Sequence, residues 1–277
     1  MNPICHEHGH DWSPTGLWVD GILRAPCRRK GCEAERSIRE EVRETGFPSV
    51  VHGIPLDIED DPQGGVAKII MRELSLNQQI NYLGLKPGDV VIDIGAHVGV
   101  VSIWLAKRYP GIKIHAYEPV ETNWGCMIDN MLHNNLVSEG SKPDDWAIRP
   151  HNIAVTGDGR TVKLPIDLSS NSGGTSIYGG GWNAEQTVEV QSITLERIFK
   201  WNDIDRCALL KIDCEGAEYE ILEAGEQYLD RIDWLMGEFH INTFLESQGK
   251  SIQALADMCA RHIPQGHMVL QACRMGD

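Results

Sequence analysis

From about residue 50 onward the chain alternates two hydrophobic patterns. Short apolar runs predict strands at 90–94, 112–117, 148–155, 207–212, 232–239 and 267–272. Continuous apolar runs of this kind suit strands covered on both faces. Apolar residues at three- and four-residue spacing predict helices at 69–83, 98–108, 120–135, 195–201, 217–224 and 252–261. Turn signals such as Lys86-Pro87-Gly88-Asp89 and Tyr109-Pro110-Gly111 separate them. Strand–helix alternation at this spacing predicts an α/β fold with a mostly parallel, doubly wound sheet. Residues 156–193 break the rhythm. They are rich in Gly, Ser and Thr, and alternating runs at 161–166 and 187–193 predict a β-hairpin or flap. The glycine-rich stretch 169–181 is a candidate lid.

The first 45 residues lack this pattern. A charged helix is expected at 37–44, and Gly46-Phe47-Pro48 breaks it. The chain therefore divides into a module at 1–45 and a domain at 46–277. The module carries Cys5-x4-His10 and, after a gap of sixteen residues, Cys27-x4-Cys32. Two such knuckles around a short β-like stretch at 16–23 follow zinc-ribbon logic. Four soft or borderline ligands hold a tetrahedral ion, which stabilises a segment too short to bury its own core. His6 and His8 are alternatives to His10. Such a zinc ion is structural, because four protein ligands leave no open position. Cys126, Cys207, Cys214, Cys259 and Cys273 are scattered among apolar neighbours and read as reduced core thiols.

Charge narrows the partners. Forty acidic residues against 25 basic ones in 277 residues give a formal charge of −15. Residues 1–44 hold 8 acidic and 7 basic side chains, so nearly all the charge lies in the large domain. Such a domain repels phosphate backbones and anionic lipid. An alternative is a nucleic-acid- or protein-modifying enzyme recruited by the zinc module, and Arg28-Arg29-Lys30, beside Cys27, is the best support for the nucleic-acid form. The N-terminus shows no apolar export signal and no apolar run reaches 18 residues, so a cytoplasmic protein is expected.

The chemistry sits at two strand ends. The first is Val91-Ile92-Asp93-Ile94-Gly95-Ala96-His97-Val98-Gly99. Gly95 and Gly99 permit a sharp turn and a close backbone approach to a ligand at a helix N-terminus. The glycine spacing misses the dinucleotide fingerprint, which disfavours the NAD(P)-dependent oxidoreductase alternative. Asp93 suits the ammonium of S-adenosylmethionine. Strand two ends at Glu118-Pro119, where an acid can take both ribose hydroxyls of an adenosyl group. The second strand end is Lys211-Ile212-Asp213-Cys214-Glu215-Gly216-Ala217-Glu218. Charges this dense at a strand terminus face a site.

These blocks resemble the FkbM-type family of S-adenosylmethionine-dependent methyltransferases. KPGDVVIDIGAHVGVVSIWLA, AYEPV, the NIAV strand, LLKIDCEGAEYEIL and MGEFH carry the likeness, over roughly 70–245. Family members commonly have Asn where this chain has His97. The resemblance implies a Rossmann-like, seven-stranded sheet with an antiparallel last strand. It implies that Asp93, Gly95 and Gly99, with Ala96 and His97 between, contact the methionine and adenosine parts. Glu118 and Pro119 then lie at the ribose and Asn152–Ala154 near the adenine. It also implies methylation of a hydroxyl on a sugar or natural product. A hydroxyl must lose its proton as it attacks, so a general base is expected. Asp213, Glu215, Glu238 and His240 are the candidates, with Lys211 beside them. His240 draws attention because an unperturbed imidazole titrates near neutrality.

Overall fold

The computed structural model describes strand residues 17–19, 22–26 and 35–37, and residues 50–59, 65–137, 142, 145–166, 176–178 and 186–275. Leu17–Val19, Ile22–Pro26 and Glu35–Ser37 form a small antiparallel sheet. Ser37 ends a strand where a helix was expected to begin. The rest of that helix, the boundary at 45/46 and Cys5, His10, Cys27 and Cys32 lie outside the described residues.

The large domain contains helix α1 (Val66–Leu76), strand β1 (Val90–Ile94), α2 (Val100–Arg108), β2 (Lys113–Tyr117) and α3 (Glu121–His133). Then follow β3 (Ile148–His151), α4 (Leu195–Trp201), β4 (Cys207–Ile212), α5 (Glu218–Ala224), β5 (Ile232–Ile241), α6 (Ile252–Ala260) and β6 (Met268–Arg274). The six strands form one sheet in the order β6-β5-β4-β1-β2-β3. Every neighbouring pair is parallel.

Two sequence expectations are corrected here. Among the described residues the central sheet has six strands, not seven. The last strand runs parallel to its neighbour, with Leu235 opposite Met268 and Ile241 opposite Arg274. Helix α6 lies between β5 and β6 and supplies the long crossover that parallel pairing requires.

Side chains alternate between two cores, as period-two geometry demands. Val91 and Leu209 pack with Met71, Trp104, Met127 and Met131 beneath α1, α2 and α3. Ile92, Ile94, Leu210 and Ile212 pack with Phe199, Tyr219, Leu222 and Leu255 beneath α4, α5 and α6. The fully buried Trp104 donates its Nε1–H to Val51 O at 3.0 Å, satisfying its one polar group.

Two elements end early for local reasons. Asn77 leaves the helical region at the end of α1 and its side chain accepts from Gln79 N, starting a 3-10 turn over Gln78–Tyr82. The expected strand at 148–155 splits: Ala154–Val155 leaves the sheet and pairs with Ser192–Ile193. The flap is a hairpin, Val162–Ile166 against Gln186–Val190. Among the described residues no helix is long and apolar enough to cross a membrane.

Candidate active site at the sheet switch point

The chain winds outward from β1 through β2 to β3, then restarts at β4 on the other side of β1. The carboxyl ends of β1 and β4 therefore border the crevice where ligands bind in open α/β sheets. A cavity of about 340 Å³ opens there, large enough for a nucleoside-sized ligand.

The floor is a close crossing. Gly95 has φ 76° and both Gly95 N and Ala96 N donate to Tyr117 O. A Cβ built on Gly95 would stand 1.8 Å from Asp213 O, so this position admits no side chain. Gly99, at φ 85°, serves packing: a Cβ there would meet Met127 Cγ at 2.7 Å. It does not line the cavity.

Asp93 also stands back from the cavity. It is wholly buried, accepts from Ser102 Oγ at 2.6 Å and lies 3.4 Å from Lys211 Nζ. Lys211 donates to Gly95 O at 2.6 Å and stands 3.6 Å from Asp213. Burial alone would depress this ammonium, but Asp93 and Asp213 outweigh it and hold the amine above its ordinary range. Asp93 thus fixes Lys211 under the turn, where the resemblance implied cofactor contact.

Glu118 occupies the other end. It is buried; Oε2 accepts from His97 N and Oε1 from Val120 N, each at 2.9 Å. Burial pushes its carboxyl up to about 7, despite those hydrogen bonds. His97 takes φ 52° to present its N–H there. Ile153, Ala154 and Val155 form an apolar wall nearby. Asn152 does not line the cavity. Its side-chain amide donates to Glu118 O and Pro119 O, at 3.0 and 3.1 Å, and holds that loop.

Acidic groups crowd the mouth between β4 and β5. Glu215, at φ 51°, places its carboxylate 3.5 Å from His240 Nε2, and Glu238 lies 3.8 Å from the same nitrogen. On the far side, His240 Nδ1 donates to Glu218 Oε1 at 3.1 Å. Glu218 is wholly buried, and it also accepts from Cys214 N at 2.7 Å and Gly216 N at 2.9 Å. Burial would depress the imidazole, but its hydrogen bonds and the surrounding carboxylates win and raise it well above the ordinary value. The imidazole therefore favours its protonated form, which weighs against a role as base. Burial first, then neighbouring acids, pushes Glu215 and Glu238 up to about 8 each, against the favourable charge of His240.

Lys211, Asp213, Glu215, Glu238 and His240 all line one cavity, with Gly95, Ala96, His97, Glu118, Pro119 and Ala154. Sequence reading missed Glu73, which α1 turns into the same space. Burial and the charge of Asp213 push it up to about 7. Its signal was an acid on an amphipathic helix, which reads equally as a solvated face. Ile177 of the flap also lines the cavity, and Ser176 Oγ donates to Glu215 O at 2.5 Å.

The methyltransferase FkbM domain family matches residues 93–263, which spans β1 to the end of α6. A 31-O-demethyl-FK506 methyltransferase from Streptomyces tacrolimicus is 25% identical over 201 residues, 64% of this chain and 75% of its own length. Methyltransferase sdnD of Sordaria araneosa is 23% identical over 58% of this chain and 70% of its own. Methyltransferase 1 of Beauveria bassiana is 22% identical over 67% and 81%. No solved structure matches the chain. The matched span encloses the strand ends that build the cavity, and the chain belongs to the FkbM methyltransferase domain family.

Proposed function

We propose that the chain is an S-adenosylmethionine-dependent O-methyltransferase acting on a hydroxyl of a small molecule. The carrying observation is that Glu118 and the cluster Asp213, Glu215 and Glu238 line one cavity.

The donor set suits S-adenosylmethionine. Glu118 keeps its carboxylate in a dry place at a cost, and a diol donating to it would offset that cost. The wall at Ile153–Val155 is apolar, as an adenine face requires. The acids of the mouth attract a cationic ligand. When bound, this cofactor supplies a methyl group already activated by a sulfonium. The chain's own residues then orient the acceptor and remove its proton.

Glu238 is the assigned base. With its carboxyl pushed up to about 8, the ionised fraction of Glu238 is a stronger base than an ordinary carboxylate. His240, already protonated, stands between Glu215 and Glu238 and holds them in place. The oxygen acceptor follows the Streptomyces relative, named for an O-methyl transfer. Acceptor specificity is assigned to α1, the hairpin and β6, which contribute Ile69, Glu73, Leu164, Val269 and Gln271.

Calorimetric titration tests the cofactor. Saturable binding of S-adenosylmethionine and S-adenosylhomocysteine, with none of NAD, supports the reading; the reverse order overturns it. Mass spectrometry of hydroxylated small molecules incubated with enzyme and cofactor then reads the gain of one methyl group.

A further inference from the structure

Glu73, Glu118, Asp213, Glu215, Glu238, Lys211 and His240 line one cavity.

Three of these residues also converge in ligand geometry. Asp213, Glu215 and His240 each bring a donor atom within 4.8 Å of the other two. His240 offers Nε2, the nitrogen turned toward Glu215, because Glu218 engages Nδ1. Glu218 stands outside the ligand set, wholly buried, and backbone N–H groups of Cys214 and Gly216 fix its oxygens. A carboxylate placed behind a histidine in this way sets the tautomer and ring orientation of metal-ligating imidazoles. A second trio, Glu238, His240 and Cys273, shares the imidazole, but Cys273 does not line the cavity.

We propose that Asp213, Glu215 and His240 form a divalent-metal site at the acceptor end of the cavity. Its place in catalysis rests on the methyltransferase reading; its binding of an ion does not. The ion takes the place of the Nε2 proton, while Nδ1–H stays on Glu218. Two carboxylates and one imidazole suit Mn²⁺ and similar first-row ions. Three protein ligands leave positions open for water or for an acceptor oxygen. The same carboxylates then neutralise the ion, and Glu238 lies outside the ligand set.

The test is titration of the full-length, metal-stripped protein with Mn²⁺, followed by the loss of the free-ion electron paramagnetic resonance signal. Thiolates such as those of Cys5, Cys27 and Cys32 are poor partners for this ion. One Mn²⁺ per chain, with Kd below about 1 mM, is expected. Glu215→Gln and Glu218→Gln should each weaken it about tenfold or more, and Cys27→Ser should not. Glu215 is partly exposed, so its variant keeps the fold, which the melting curve verifies. No retention at about 1 mM, or binding that Glu215→Gln and His240→Gln leave unchanged, overturns the site. Titration of the same sample with S-adenosylhomocysteine separates the two readings. Mn²⁺ bound without cofactor affinity overturns the methyltransferase reading alone; cofactor affinity without Mn²⁺ overturns the site alone.

Discussion

Glu218 and His240 form a buried hydrogen-bonded ion pair, 3.1 Å between Oε1 and Nδ1, that ties the turn after β4 to the end of β5. The pair has a structural and a chemical side. Glu218 satisfies two backbone N–H groups of a turn that includes Glu215 at positive φ. The pair also favours the protonated form of His240.

Breaking this pair from the Glu218 side should therefore unfold the turn before it alters any single chemical step. Glu218→Ala leaves His240 charged and buried with no carboxylate behind it, which costs about 3–5 kcal/mol. Glu218→Gln keeps an acceptor oxygen and should cost about 1–3 kcal/mol. Denaturant melts of the three proteins check the order. Equal stability of the Ala variant and the parent would show that the pair does not hold the turn.

Gly95 is bound by two independent restraints, and Gly95→Ala should fail against both. Positive φ costs a non-glycine residue about 1–2 kcal/mol, and the new Cβ would fall 1.8 Å from Asp213 O. The crossing of β1 and β4 must open, displacing Asp213. Loss of S-adenosylhomocysteine binding together with a lowered melting temperature is the expected result. A variant that binds and melts like the parent contradicts it.

Cofactor affinity should depend on pH through Glu118. Its folded carboxyl is raised to about 7, so the group is ionised above that and protonated below. Hydroxyls donating to the carboxylate bind the ionised form. Affinity for S-adenosylhomocysteine should therefore be highest above pH 7 and fall by up to about tenfold per unit below it. Glu118→Gln should flatten that part of the profile and weaken binding throughout. Calorimetry at pH 6 and pH 8 decides; a flat parental profile removes Glu118 from the ligand.

Much of this arrangement can be read in the sequence, and the misses have common causes. The runs at 90–94 and 207–212 match β1 and β4 in full, because buried parallel strands leave continuous apolar signatures. The same pattern put Gly95 and Asp213 just past two strand ends. What it could not show is direction. Asp93 and Asn152 hold neighbouring backbone and lysine rather than line the cavity, since strand-end polarity does not reveal which way a side chain turns. The charge of His240 was also unreadable, because it depends on Glu218 and Glu215, brought from 22 and 25 residues away. Among the described residues six parallel strands stand where the likeness implied seven, because α6 and β6 do not make the implied reversal.

Turnover should separate from binding at Glu238. Glu238→Gln removes the assigned base while keeping shape and hydrogen-bonding atoms. The expected loss in kcat is about 10²–10⁴-fold, with S-adenosylhomocysteine affinity held. Asp213→Asn should also lower turnover strongly with the fold intact. His240→Ala should lower it as well, through misplacement of Glu215 and Glu238. Methyl transfer at the parental rate in the Glu238 variant would move the base elsewhere in the cluster.

Glu73 gives a stability signal independent of activity. Its folded carboxyl is raised from 4.5 to about 7, by burial first and the charge of Asp213 second. A raised folded value means that the native state holds this proton more tightly than the unfolded chain does. The resulting stability is full below the unfolded value and is lost as pH rises through about 7. Above that pH, the ligand-free protein keeps an ionised carboxylate in a half-dry place beside other acids. Glu73→Gln removes the charge and preserves the volume. The variant should melt several degrees higher than the parent at pH 8 and close to it at pH 5, with S-adenosylhomocysteine affinity unchanged. A gain of the same size at both pH values would mean that packing, and not charge, governs this position.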